Sequence, residues 1–270
     1  TIIQFAYNLN FFPIGVIAVS FAIAAFPTLC DLSNRRDQTG FIQTFSTTVR
    51  QILFFVIPAT FIFILLRAQI VRVVLGAGEF DWQATIATAD TLGFFAISFF
   101  AQALVFILIR AYFAYHDTLT PFIVGLVAAA INIIAALLLT LKFGVQGLGV
   151  AFSLAAIIQV ILLWVPLRQR IGTLDEWRII RSFAILTIAG FAGALTTQVM
   201  KTIVVNFITL DTFFGVLLQG LIAGTIGLIV YGTIAYFFKS EEMIEFIKGM
   251  KRRLFKKAKP EETIVTTLSQ

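Results

Sequence analysis

The stretch PFIVGLVAAAINIIAALLLTL, residues Pro121–Leu141, decides the fold class of this chain. It carries no charged side chain, and as a helix it is long enough to cross the roughly 30 Å hydrocarbon layer of a bilayer. Similar, mostly apolar stretches cover Ile2–Leu29, Gln51–Leu66, Ile86–Ile109, Leu148–Leu167, Ile179–Met200 and Phe213–Phe238. Because these runs do not alternate as barrel strands do, we predict an all-α, polytopic transmembrane bundle of seven spans.

Local signals predict where several of these helices begin and end. The apolar and threonine-rich lead from Phe41 can extend the second span, and Asp81 is expected to cap the third. Thr120 and Pro121 predict the start of the fourth span, because threonine can cap a helix and proline fits the first helical position. The short segment Arg67–Leu75 is expected to lie in the membrane interface without crossing. A tight turn is predicted at Gly144, Gly147 and Gly149.

The composition of the whole chain excludes a water-soluble domain and argues against an enzyme. Of its 270 residues, 59% are hydrophobic and 13% are charged, whereas soluble domains have roughly 45–50% and 25%. The single cysteine, Cys30, cannot form a disulfide within the chain, and a metal site or catalytic triad would rest on the single histidine, His116. We therefore expect a transporter with no metal and no cofactor.

The positive net charge is concentrated near the C-terminus. Residues 239–259 contain eight Lys or Arg and three Glu, and apolar residues recur there at helical spacing: Met243, Ile247, Met250 and Leu254. Ser240 is expected to cap this helix. We predict two domains, a transmembrane bundle over residues 1–238 and a basic amphipathic tail over residues 239–270. The tail is expected to lie on anionic lipids and to bind no nucleic acid.

The distribution of Lys and Arg between the loops predicts the orientation. With alternating spans, sixteen of these residues fall on the side of the C-terminus and four on the other, namely Arg67, Arg72, Lys142 and Lys201. The positive-inside rule therefore predicts a cytoplasmic C-terminus and an external N-terminus. Because Thr1 stands almost inside a span, we also expect an upstream half of the same protein as a partner.

The predicted spans contain few groups that could handle charge. No Lys or Arg is expected deep in a span, and Asp90 is the one acid within them, near an outer end. Gln4 and Asn8 are four residues apart and share a helix face. Pro13 lacks an N–H and clashes with the carbonyl group of Leu9, so a kink is predicted there. A kinked helix beside amides suits a gate, although the amides could equally serve helix packing.

Four short motifs occur between residues 5 and 170, and their order along the chain indicates a known family. They are Phe11–Val16 with Phe26–Leu29; Ile57–Ala59 with Ile70–Arg72 and Gly78–Asp81; Arg110–Ala114 with Asp117, Thr118, Leu119, Thr120, Pro121 and Asn132; and Gly144–Gly149. The ordered set resembles the MurJ/MviN family, whose members are flippases for lipid II in peptidoglycan synthesis.

This resemblance implies a MATE-like fold of the MOP exporter superfamily, of which these spans would be the C-terminal half. It implies alternating-access transport of the polyprenyl-diphosphate-linked precursor across the bacterial cytoplasmic membrane. It also implies that the last two spans line a groove for the lipid tail. Small residues there, such as Gly193 and Gly224, are equally typical of close helix packing.

The resemblance also implies site residues, with two departures from the family pattern. The substrate cavity would include Gln4, Asn8, Asn10 and Pro13, but Asn8 stands where relatives commonly carry an arginine. A weak cation site would include Asn132 and Ser153, but Ala136 stands where relatives carry an acid. The pair could instead form an interhelical hydrogen bond. A motif loop would include Asp117, Thr118, Thr120 and Pro121.

Three other functions stay open at this point. One is a flippase for a different lipid-linked oligosaccharide. Another is a drug or cation antiporter of the same superfamily, which would need a carboxylate in the membrane. The last is a seven-span receptor; a retinal protein would need a lysine in Phe213–Phe238, where none exists.

Overall fold

The computed structural model describes residues 2–75, 82–207 and 212–255. Within these ranges the chain is helical and contains no strand. The helices are α1 (Ile2–Ile14), α2 (Ser20–Asn34), α3 (Gln38–Leu65), α4 (Arg67–Leu75), α5 (Trp82–Ala96), α6 (Phe99–Ala114), α7 (Leu119–Phe143), α8 (Gln146–Ile171), α9 (Glu176–Val205), α10 (Phe213–Phe237) and α11 (Glu241–Phe255). Asp81, the predicted cap of α5, lies outside the described residues.

The membrane spans agree with the predicted number. Six helical stretches of the described chain are long and apolar enough to cross a bilayer, and the pair α5 and α6 makes the seventh when it is counted as one span. The second span begins at Gln38, so the lead from Phe41 extends it as predicted. Helix α4 has nine residues, too few to cross. The all-α transmembrane bundle is therefore confirmed.

The first span departs from the regular α-helix just after its proline, next to the position of the predicted kink. Pro13 is buried near the end of α1, and a π-helical segment, Gly15–Val19, follows at once and leads into α2. Gln4 to Asn34 counts as one span of 31 residues. Proline and π-helical turns are both recognised causes of helix bending, so a kink in this span stays a prediction.

The third span, predicted as one helix, is broken. Helices α5 and α6 meet at Ile97 and Ser98 and are bent by 50°. No proline causes this break. Instead, the Ser98 hydroxyl donates to the carbonyl oxygen of Phe95 at 3.0 Å, and its backbone N–H donates to the same oxygen at 3.2 Å. A side chain that competes for the backbone carbonyl groups is a recognised cause of a helix break.

Helix α3 forms the centre of the bundle. It packs against α2, α6 and α9, and its fully buried residues include Phe41, Phe45, Val49 and Ile52. Two buried tyrosines add hydrogen bonds between helices: Tyr231 donates to the carbonyl oxygen of Phe54 and Tyr112 to that of Leu163, both at 2.7 Å. Because lipid tails are as apolar as these side chains, close packing rather than exclusion of water holds such helices together.

Glycines permit the closest helix approaches. Gly144, with φ of +59°, forms the turn between α7 and α8, as predicted. Gly147 and Gly149 are instead inside α8, where a Cβ on Gly147 would lie 2.6 Å from the backbone of Leu139. A Cβ on Gly193 of α9 would lie 2.7 Å from the carbonyl oxygen of Gly227 in α10. These positions exclude larger side chains because backbone faces backbone there.

Candidate functional site

A cleft of about 310 Å³ opens between α1, α6, α7 and α8. Three amide side chains line it, Gln102 from α6, Asn132 from α7 and Gln159 from α8. Aromatic rings form another wall, and Tyr7 lies edge-on to Phe152 with ring centroids 5.9 Å apart. No charged side chain is among its described lining residues. The cleft therefore offers hydrogen bonds and ring faces without formal charge.

A buried polar network supports the cleft from behind. Asn10 donates from Nδ2 to Oε1 of Gln102 at 3.1 Å, and Gln102 donates from Nε2 to Oγ of Ser98 at 2.8 Å. Ser153 donates to the carbonyl oxygen of Phe94 at 2.7 Å and lies 2.9 Å from Oγ of Ser98. The network joins α1 and α8 to the break between α5 and α6. Such satisfied networks stiffen a low-dielectric interior.

Two amides of the cleft are left for a ligand. Within the described ranges, the side chains of Asn132 and Gln159 make no hydrogen bond to the protein, whereas Gln102 is held by the network. Each free amide provides two N–H donors and a carbonyl acceptor. Together they can bind hydroxyl, amide or phosphate oxygens, but they cannot neutralise a charge.

The predicted cavity residues of α1 divide between two environments. Gln4 and Asn8 are exposed, and they share a helix face with Tyr7 and Phe11, which line the cleft. Asn10 and Pro13 are buried, and Asn10 reaches the cleft only through Gln102.

The proposed cation pair is not joined by a hydrogen bond. Asn132 faces the cleft, while Ser153 is directed to Ser98 and Phe94. The alternative prediction, a hydrogen bond between Asn132 and Ser153, is therefore wrong. Ser153 does form interhelical hydrogen bonds, but its partners are Phe94 of α5 and Ser98. Among the described residues, no group of three or more His, Cys, Asp or Glu could hold a metal ion.

The motif loop ties α6 and α7 to the end of α8. Asp117 accepts from the backbone N–H of Thr120 at 3.0 Å and from its hydroxyl at 2.9 Å, and Arg170 donates to it at 3.0 Å. These donors, the Thr120 N–H first, lower the pKa of Asp117. Helix α7 begins at Leu119 after Thr118, and Pro121 is buried in its first turn. The prediction that Thr120 caps α7 is therefore wrong. The side chain that accepts a hydrogen bond from the first turn of α7 is that of Asp117.

The sequence did not reveal the buried cation Arg50. The predicted span Gln51–Leu66 leaves Arg50 just outside the membrane, among the sixteen cations on the side of the C-terminus. In the structure it lies inside α3 with only 8% of its surface exposed. Arg50 donates to Glu241 at 2.7 Å and to Glu242 at 3.0 Å, and both carboxylates belong to α11. The hydrogen bond from Arg50 lowers the pKa of Glu241. One feature of the sequence could have revealed this position. The apolar and threonine-rich lead from Phe41 continues as one helix into the second span, so Arg50 lies within that helix.

Comparison with known proteins gives consistent results. A family model described as "Lipid II flippase MurJ" matches residues 1–218. The probable lipid II flippase MurJ of Rhizobium tropici is 26% identical over 266 residues, which are 96% of this chain and 48% of that protein. The corresponding protein of Treponema pallidum is 27% identical over 167 residues, 62% of this chain and 32% of that protein.

A solved structure is also similar. It is titled "Lipid II flippase MurJ, inward closed conformation", with a TM-score of 0.70, 25% identity, and coverage of 89% of this chain and 47% of that one. The chain thus spans about a third to a half of the length of the relatives it matches.

Proposed function

Because this chain belongs to the lipid II flippase MurJ family, we propose that it acts as part of a flippase that carries lipid II across the bacterial cytoplasmic membrane by alternating access. The observation that carries the proposal is the family match over residues 1–218, which includes all four helices of the cleft. The family is one of transporters, in keeping with a chain built of membrane spans.

The cleft is suited to the neutral parts of such a substrate. Asn132 and Gln159 offer donors and acceptors to sugar and peptide groups, and Gln4 and Asn8 extend the polar surface along α1. A diphosphate also needs positive charge, since an unpaired charge in the membrane costs several kcal/mol or more. We propose that this charge comes from the remaining part of the flippase.

Orientation and lipid contacts complete the proposal. The excess of Lys and Arg in the loops beside the C-terminus argues for a cytoplasmic C-terminus. The cationic residues that follow Glu245 on α11 argue for contact with anionic lipids of that leaflet.

The test is a flipping assay with the complete protein in proteoliposomes. We expect the double variant Asn132→Ala, Gln159→Ala to flip a labelled lipid II analogue at least about tenfold more slowly, since each lost hydrogen bond costs about 1 kcal/mol. The matched control is Ile133→Ala, Leu154→Ala, which alters exposed apolar residues on the same two helices, α7 and α8. Equal rates for the two variants would refute the role of the cleft. The 270-residue chain alone is expected to insert without flipping.

One second candidate is favoured by a specific residue. Position 8 is an asparagine, where the family resemblance implies an arginine, so a flippase for another lipid-linked oligosaccharide with a less demanding head group fits this chain as well. Competition between lipid II and a lipid-linked oligosaccharide for the complete protein distinguishes the two. Asn8→Arg tests only the charge at this position, because an added cation should increase affinity for any diphosphate carrier. The antiporter is less favoured, because Asp90 is paired with Arg67 at 3.4 Å. Family membership removes the seven-span receptor.

A further inference from the structure

A second cavity, distinct from the cleft, lies where α3, α9 and α11 meet. It measures about 300 Å³. Four cationic side chains line it: Arg50, Arg178, Arg181 and Lys239. Glu241 and Glu242 also line it, so the cavity has an excess of positive charge. The family motifs and the proposed transport route assign no role to it.

The two carboxylates are already engaged. Arg50 donates to both, and Glu242 also accepts from Ser182 at 3.0 Å and from Ser240 at 2.6 Å. Buried Glu242 therefore accepts hydrogen bonds from three side chains, and its ion pair with Arg50 forms the inner wall of the cavity. A mobile cation such as Mg²⁺ would find few free oxygens here.

The other cations have spare hydrogen-bonding capacity. Within the described ranges, the side chains of Arg181 and Lys239 make no direct ion pair or hydrogen bond, and Arg178 comes only to 3.9 Å from Asp175. Arg178 and Arg181 act on Glu241 only through longer-range electrostatic attraction. Arg178 and Arg181 are three residues apart in the first turns of α9 and so share one face. In addition, Nε of Arg50 is buried with no acceptor among the described residues. The site thus has cationic donors with no acceptor bound directly to them.

The position of the cavity favours a membrane lipid over a soluble anion. Trp177, 77% exposed, lines its rim at the start of the α9 span, where tryptophan typically marks the headgroup level. Phe237 and Phe238, both exposed, end α10 immediately before Lys239. Apolar surface for acyl chains therefore adjoins cationic side chains that suit a phosphate.

We propose that this cavity binds the phosphodiester headgroup of an anionic phospholipid. Arg178, Arg181 and Lys239 provide the donors, as in other basic pockets between membrane helices. Because the bound phosphate touches both α9 and the joint between α10 and α11, it stabilises the docking of α11. The inference does not depend on what the flippase carries.

The experiment measures binding of a photoactivatable phosphatidylglycerol to the complete protein in phosphatidylcholine nanodiscs. In the wild type, the label should appear on the peptide containing Trp177 to Arg181. The triple variant R178Q/R181Q/K239Q should lose roughly tenfold to a hundredfold in affinity, since each cation near an anionic surface contributes about fivefold. Labelling that is unchanged in this variant would overturn the proposal.

Controls separate this site from general charge effects and from a soluble ligand. The variant R35Q/R36Q/R168Q removes the same charge from exposed positions and should bind normally; an equal loss there would overturn the proposal. The variant R178K/R181K keeps the charge and should retain most of the affinity, which guards against a folding defect in the triple variant. Full displacement of the lipid by millimolar glycerol phosphate would also overturn it, because the ligand would then be a soluble phosphate.

Discussion

A guanidinium inside a membrane helix needs anions beside it, and Arg50 finds them on α11. The pair joins residues nearly two hundred positions apart, so it closes the end of the bundle. Glu242 is the buried partner, whereas Glu241 is largely exposed. The buried partner therefore carries more of the stabilisation, because solvent screens the exposed one.

The first prediction tests this difference. Glu242→Gln should lower the free energy of unfolding by about 3 kcal/mol, since it leaves a buried guanidinium with one exposed partner. Glu245→Gln, on the exposed side of the same helix, should change it by less than about 0.5 kcal/mol. Denaturant titration in mixed micelles measures both. Indistinguishable midpoints would mean that Arg50 is compensated by other groups.

The second prediction concerns pH and Asp117. The folded pKa of Asp117 is lowered, first by the Thr120 N–H and also by Arg170. Its stabilisation is therefore complete above the unfolded value of about 3.9 and is lost as the pH falls through the lowered folded value. In Asp117→Asn, which can still cap α7, this acid-dependent loss should be absent from unfolding curves below about pH 4. The control Asp31→Asn, an exposed position, should keep it.

At the scale of elements, two irregular segments shape the cleft. The π-helical turn Gly15–Val19 follows Pro13 in the first span, and the 50° break at Ile97 and Ser98 divides the third. The buried network of Asn10, Gln102 and Ser98 joins these spans close to both irregularities. At the break, the hydroxyls of Ser98 and Ser153 donate to the carbonyl oxygens of Phe95 and Phe94, which a straight helix would have paired internally.

The third prediction tests the contact between α9 and α10. Gly193→Ala would place a Cβ 2.7 Å from the carbonyl oxygen of Gly227, so the helices must separate. We expect a loss of about 1–3 kcal/mol in the free energy of unfolding. The control is Gly125→Ala in α7, where a Cβ meets nothing within 4 Å. It should be neutral, or stabilising by up to about 1 kcal/mol. A harmless Gly193→Ala would disprove the close approach.

At the scale of the whole molecule, the bundle has a tightly packed centre and widely exposed apolar faces. Helix α7 is exposed over most of its apolar length, including Leu137 and Leu141. In water such a surface would aggregate, whereas in a bilayer it faces lipid. The family relatives are two to three times as long as the matched region, so part of this surface is available to the rest of a longer protein.

The fourth prediction addresses orientation. Two single-cysteine variants, Asn206→Cys and Thr173→Cys, are made in a Cys30→Ser background. Residue 206 lies in the connection after α9, and residue 173 lies in the connection before it. Both positions are exposed. If the C-terminus is cytoplasmic, an impermeant maleimide added to intact cells should label the first and spare the second. The opposite pattern would reverse the proposed topology.

The sequence by itself determined the class, the spans and the family. Long uncharged runs such as Pro121–Leu141 can only be buried in lipid as helices, so the all-α bundle follows from composition and length. The ordered motifs from Phe11 to Gly149 were sufficient for the family, which the match over residues 1–218 confirms. Apolar length and motif order are properties of the sequence itself, so they can be read without knowing how the helices pack.

Only the tertiary structure decided which side chains meet. Ser153 pairs with Ser98 and not with Asn132, Asp117 binds Arg170 at the end of α8, and Arg50 is buried against α11. Each outcome depends on how one helix is rotated and shifted against another. That rotation is set by packing at contacts such as Gly193 with Gly227, between residues far apart in sequence, and helical periodicity carries no information about it.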